Sequence, residues 1–164
     1  MATRSPSSRR SQVARVYSVS VREADFDQGA EIAALTMDSA AAGAVASFVG
    51  LVRGGEISAM TLEHYPAMTE KAIEEIVAEA RERWHLLGVR VIHRVGRLLP
   101  GDRIVLVAVA ASHRGESFAA CEFIMDYLKT RAPFWKREET AAGAHWVDAR
   151  ESDDAAAERW NASN

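Results

Sequence analysis

Lys129 and Lys136 stand seven residues apart in the stretch DYLKTRAPFWKRE, with Pro133, Phe134 and Trp135 between them. Two ammonium groups brought together can hold an anion. Their mutual repulsion, reinforced by Arg131 or Arg137, would lower a lysine's pKa towards use as a base or nucleophile. Seven residues is two helical turns, but Pro133 rules out a continuous helix because it lacks the backbone donor and clashes with the preceding turn. The lysines therefore meet only if the chain reverses at the proline. Local pattern alone favours the plainer reading, two exposed lysines beside a buried Phe134-Trp135 anchor.

Three other positions carry candidate chemistry. His113-Arg114 follows an apolar run and precedes a helical pattern, where backbone donors and a helix N-terminus favour an anion and Arg114 adds a planar charged fork. A solvated loop explains the same residues equally well. Arg53 closes a strand-like run before Gly54-Gly55; alone it reads as a surface residue, and it matters only if it converges with the others. Cys121, the single cysteine, falls on an apolar helix stripe and reads as a buried structural thiol rather than a nucleophile. The five histidines show no HxH or HExxH spacing and no acidic cluster, so no metal site is expected. No P-loop or GxGxxG is present, and no cofactor is implied.

The elements that must position these groups follow from periodicity. Alternation from Val16 to Val21 predicts a strand. DQGAEIAALTMDSA predicts a short helix opened near Asp25 or Asp27 and ended before Gly43. GAVASFVGLVRGG and SAMTLEHY read as two strands that the Gly54-Gly55 turn could join as a hairpin. Thr69 to about His85 is the best-marked helix: Ile73, Ile76, Val77, Ala80 and Trp84 form its stripe, Thr69 its cap, and its charges match the dipole. VRVIHRVGRLL predicts a strand, Pro100-Gly101 a turn, and RIVLVAVAA a strand buried on both faces. A second helix is predicted from Ser117 to Thr130 with Phe118, Cys121, Ile124, Met125 and Leu128 inward. It puts Lys129 in the last turn and Lys136 on the extended segment after Pro133. ARESDDAAAERW predicts a short acidic helix. Strand pairs with interleaved helices and no repeat give an α+β class.

Composition bounds the rest. At 164 residues, 48% hydrophobic and 26% charged, the chain suits one globular domain with its own core. A net charge of −3 and the lack of a basic–aromatic stripe argue against nucleic acid. No apolar run approaches a membrane span. A single cysteine excludes an internal disulfide and points to a reducing, cytoplasmic setting. Residues 1–15 are rich in Arg and Ser without acidic residues. They read as a disordered arm; an organelle transit peptide shares the composition, but no secretory signal is present. The expected organisation is this arm, one domain over 16–160, and a frayed tail at 161–164.

Several stretches together resemble the large, catalytic subunit of molybdopterin synthase, the MoaE family: GAVASFVGLVR, LEHYPAMTEKA, VIHRVGRLLPGD, SHRGESFAACEFIMDYLKTRAPFWKRE and HWVDARES. The resemblance runs in order from about residue 16 to residue 160. It implies an α/β hammerhead-type fold with an additional small antiparallel β-subdomain. It also implies a homodimer within a heterotetramer, with a small ubiquitin-like sulfur-carrier subunit (MoaD-like) docked at each end. The carrier's Gly-Gly tail, ending in a thiocarboxylate, enters a pocket where cyclic pyranopterin monophosphate gains two sulfurs as a dithiolene. Residue by residue, the resemblance makes Lys129 and Lys136 the catalytic lysines. Arg53, His113 and Arg114 become the basic groups of the substrate's phosphate pocket, and Arg150 an arginine supplied by the other protomer. A non-catalytic module that only docks the carrier tail is the alternative. The loop after Arg53, GGEIS, is shorter than in the family, and the arm has no counterpart there.

Overall fold

The computed structural model describes residues 16–148 and 151–161. In chain order the elements are β1 (Tyr17–Arg22), α1 (Gln28–Thr36), β2 (Ala44–Leu51), β3 (Ile57–His64), α2 (Met68–Arg83), β4 (Leu86–Arg94), β5 (Gly96–Leu98), β6 (Arg103–Ala111), α3 (Arg114–Thr130), β7 (Phe134–Thr140), β8 (Gly143–Val147) and α4 (Glu151–Glu158). The strands form two four-stranded sheets, in the orders β1-β4-β6-β2 and β5-β3-β7-β8. The first is mixed, with β1 parallel to β4 and the other pairs antiparallel. The second is wholly antiparallel. This is an α+β fold with a small antiparallel subdomain.

Side-chain alternation along β6 explains the layering. Val105, Val107, Val109 and Ala111 point to the core under α2 and α3, with Ile73, Ile76, Phe123 and Ile124. Leu106, Ala108 and Ala110 point the other way, towards Phe26 and Leu35 beside α1. A strand covered on both faces must be apolar throughout, as β6 is. The α1 helix starts where Asp27 accepts the Ala30 N–H at 3.1 Å. Its side-chain oxygen satisfies a donor that has no partner within the helix.

Three expectations are corrected. The run ending at Arg53 and the run from Ser58 do not form a hairpin: β2 pairs with β6 and β3 with β5 and β7. Ala46 on β2 belongs to the main core, whereas Met60 and Leu62 on β3 join Val52 and Leu98 in a separate cluster. The chain therefore crosses between sheets at Gly54-Gly55, with Gly55 at φ 98°. Thr69 does not cap α2. Ala67 precedes the helix at φ 65°, and the Glu70 carboxylate accepts the Ala67 N–H at 2.7 Å. The α3 helix starts at Arg114, three residues early, and its inward stripe runs through Ser117, Ala120, Cys121, Ile124 and Leu128. Phe118, one position out of phase, is 64% exposed.

Candidate active site

The helix carrying Lys129 ends as the proline requires. Arg131 closes α3 with its N–H on the Tyr127 carbonyl at 2.8 Å. The Phe134 N–H then reaches the Ala132 carbonyl at 3.0 Å, a tight reversal centred on Pro133. The corner is pinned from outside. Thr69, fully buried, donates its hydroxyl to the Pro133 carbonyl at 3.1 Å and accepts the Tyr65 N–H at 3.2 Å. A capping-type residue is thus used to tie the start of α2 to the corner between the lysines.

After the corner, β7 alternates. Phe134, Lys136 and Glu138 lie opposite His64, Leu62 and Met60 of β3, so these six share one face of the small sheet. Trp135 points the other way and meets Tyr65 edge-on, with ring centroids 4.5 Å apart. Lys136 is partly buried and pairs with Glu138 at 3.6 Å. Phe134 stacks on His93, at the end of β4, with ring centroids 3.9 Å apart. His93 Nδ1 lies 2.8 Å from the Arg94 carbonyl. A carbonyl only accepts, so Nδ1 carries the proton and Nε2 keeps its lone pair while the ring is neutral. Burial, aided by the charges of Lys129 and His64, holds the His93 pKa down to about 4, against the Arg94 carbonyl that favours the cation. The charge of Lys129 thus acts on His93, and Lys136 lies two residues beyond Phe134 on the same strand face.

Arg53 is exposed at the end of the segment that leaves β2. It follows Val52, whose backbone is bonded on both sides, to Asp102 at 2.9 Å and Gly101 at 2.8 Å. Val52 packs with Met60 and Leu62 on the face that carries Lys136. His113 and Arg114 do not join them within one chain. His113 is the extended N-cap of α3 and Arg114 its first residue, both exposed. Lys129 lies fifteen residues further along the same helix, about 22 Å away at the rise of an α-helix. Arg150 lies outside the described residues. A cleft of about 410 Å³ is lined by Asp25, Gln28, Leu51, Gly101, Asp102 and Arg103, none of them a candidate residue. Its Arg103 and Asp25 are already paired at 2.7 Å, which makes it an ion-paired groove rather than a reactive pocket. Among the described residues no cluster of His, Cys, Asp and Glu is arranged to hold a metal.

A family model described as MoaE protein matches residues 21–131. The chain belongs to the MoaE family. Among curated relatives, the molybdopterin synthase catalytic subunit of Ralstonia nicotianae is 63% identical over 146 residues, which is 87% of this chain and 83% of that protein. The subunit of the same name from Pseudomonas aeruginosa is 55% identical over 146 residues, 87% of this chain and 97% of its own. The solved molybdopterin biosynthesis MoaE protein of Burkholderia ambifaria superposes with a TM-score of 0.78 at 57% identity, covering 88% of this chain and 98% of that one.

In this MoaE chain, sequence reasoning missed His93, His64 and Thr69. For His93 a signal was present: a histidine directly after the apolar Val91-Ile92 pair in the strand run VRVIHRVG is a polar group that the fold must satisfy. For Thr69 no local signal exists, because its partners lie on two other segments.

Proposed function

We propose that this MoaE chain is the catalytic subunit of a molybdopterin synthase. It takes sulfur from a thiocarboxylated ubiquitin-like small subunit and adds it to cyclic pyranopterin monophosphate to form the dithiolene. The observation that supports the reading is the Pro133 corner, which separates a helix-end Lys129, whose charge is felt by the buried His93, from a strand-borne Lys136 on the same face as Phe134. The substrate is a phosphate, the carrier tail is anionic, and sulfur attack builds negative charge. Fixed cations serve such a reaction by positioning and electrostatic stabilisation.

Lys129 holds the carrier's carboxy terminus, and Lys136 acts as acid/base or charge stabiliser. Arg53, His113 and Arg114 bind the phosphate, with Arg150 completing the pocket. The separation of His113 and Arg114 from Lys129 within one chain supports a site drawn from two protomers, as a homodimer flanked by two carriers requires. Sulfur arrives on the carrier, so the buried Cys121 is not its source. Its thiol is pushed up to about 11 by burial, with a smaller contribution from Glu122. The catalytic domain spans 16–160, and the single buried cysteine suits a cytoplasmic setting.

The test is direct. The purified chain, a thiocarboxylated small subunit of proven competence and cyclic pyranopterin monophosphate should yield molybdopterin, read as its fluorescent oxidation product. Carrier binding without product would leave only a docking module.

A further inference from the structure

His93 is a polar group at a place where the sheet calls for an apolar one. It stands in phase with Val89 and Val91 along β4, on the face that α2 and α3 cover. On that face Val21 of β1 and Val105 of β6 lie directly beside it, and Phe134 stacks on its ring. An aliphatic or phenyl side chain would fill the place without the desolvation that holds the imidazole pKa down to about 4. Nδ1 is committed to the Arg94 carbonyl of its own strand. The atom that distinguishes this histidine from a packing residue is therefore Nε2, a lone-pair acceptor. The end of α3 lies over the same face. Leu128 is buried in one core with Val91 and Val105, and Lys129 follows it in the last helical turn with an exposed side chain. Of the two charges that act on His93, that of Lys129 is the larger; that of His64, opposite Phe134 across β3 and β7, is the smaller.

We propose that His93 is a positioning residue for Lys129: its Nε2 accepts a hydrogen bond from the ammonium and turns it towards the carrier's carboxy terminus. The inference deepens the proposed function and rests on the role given there to Lys129. An exposed lysine samples many rotamers, and ordering it is part of the cost of binding an anion. An acceptor that orders the ammonium beforehand lowers that cost. The charge of the acceptor decides how well this works. A carboxylate would neutralise the lysine while orienting it, whereas a neutral imidazole orients it and leaves the net positive charge for the tail. The surroundings of His93 keep it in that form. Valines on the two neighbouring strands and the Phe134 face make its environment apolar, and the bond to the Arg94 carbonyl fixes the tautomer with Nε2 unprotonated. The same stack and bond fix the ring plane, so Nε2 has one set direction.

Carrier affinity, measured by calorimetry on the full-length chain, tests it. Two forms of the small subunit serve as probes, one ending in its Gly-Gly carboxylate and one lacking both glycines. His93→Phe keeps a ring on Phe134 and removes Nε2. It should weaken binding of the intact carrier by about tenfold, the scale of a hydrogen bond to a charged group, and leave binding of the truncated carrier unchanged. A general distortion of the fold would weaken both. In a Lys129→Ala background the same substitution should add nothing, because residues that act through one another are not additive. Wild-type affinity of His93→Phe for the intact carrier overturns the inference, as does an equal loss with both carriers or a full further loss on top of Lys129→Ala. Should His93→Phe not fold, the imidazole itself reports: its Nε2 15N resonance should move when Lys129→Ala removes the donor, and an unmoved resonance overturns the inference. A Lys129→Ala chain that loses the intact carrier while His93→Phe keeps it leaves the proposed function standing and removes His93 from it. Undiminished binding of the intact carrier by Lys129→Ala removes the role of Lys129, and this inference with it.

Discussion

His93 lies nearly flat against Phe134, with ring planes inclined by 19° and centroids 3.9 Å apart. This contact joins the end of β4 in one sheet to the start of β7 in the other, immediately beside the corner that separates the two lysines. The imidazole is neutral there, with a pKa of about 4 against an ordinary 6.5, chiefly because burial disfavours its cation.

That depression makes stability depend on acid. Below about pH 6.5 the unfolded chain binds a proton at this histidine that the native chain refuses, so stability is full above 6.5 and falls as the pH drops towards 4. At pH 5 the loss is about 2 kcal/mol. Urea titrations at pH 7.5 and pH 5 should show it in wild type. His93→Phe keeps an aromatic partner for Phe134 but cannot titrate, and should lose less by about that amount. An equal loss in both proteins would mean that His93 is not the group responsible.

Lys136→Ala should reduce turnover by about a hundredfold or more, the scale set by removing one preorganised charge-stabilising group. Carrier affinity should stay close to wild type, since Lys129 is assigned to the tail. Single-turnover rates with pre-bound carrier, alongside calorimetric binding, separate the two effects. Wild-type turnover would reject the role given to Lys136.

Thr69→Val should destabilise the protein by about 1–3 kcal/mol, because it leaves the Tyr65 N–H and the Pro133 carbonyl without their bridging hydroxyl at nearly unchanged volume. It should also slow turnover, since the bridge holds the corner from which the strand carrying Lys136 starts. Denaturant midpoints give the first effect and kcat the second. A variant as stable as wild type would show that the bridge carries no net energy.

Cys121→Ala should keep most of its turnover, and the native thiol should resist alkylation at neutral pH. Its pKa of about 11 leaves little thiolate, and its Sγ faces the Val107 carbonyl inside the core. Rapid alkylation with matching loss of activity would return Cys121 to the chemistry.

What the sequence disclosed divides by the range of the interaction. The α2 stripe through Ile73, Ile76, Val77 and Ala80 and the all-apolar β6 were legible because periodicity is local and both are buried as it requires. The pairing of β2 with β6 rather than β3 was not, since strand partners are chosen by which core each face fills. The phase of α3 failed at Phe118 because its start is set by His113 in an extended conformation, which no stripe encodes. Pro133 announced a helix stop before Lys136. The contacts that fix the corner between the lysines come from His93 and Thr69, which are 36 and 60 residues before Lys129. Local pattern therefore favoured two unrelated surface lysines.

The distance of about 22 Å between Arg114 and Lys129 along α3 leads to a final prediction. Arg114→Ala and Lys136→Ala should each be nearly inactive as pure dimers, the first through weaker substrate binding and the second through lost chemistry. If a site takes Arg114 from one protomer and Lys136 from the other, a mixed dimer holds one intact site and one doubly defective site. Equal amounts unfolded and refolded together form mixed dimers half of the time, so the mixture should recover about one quarter of wild-type turnover. If each chain carried its own complete site, every site in the mixture would hold one defect and no activity would return. Measured turnover of the refolded mixture against the two refolded parents decides between these arrangements, and absence of recovery would place Arg114 and Lys136 in a site carried by a single chain.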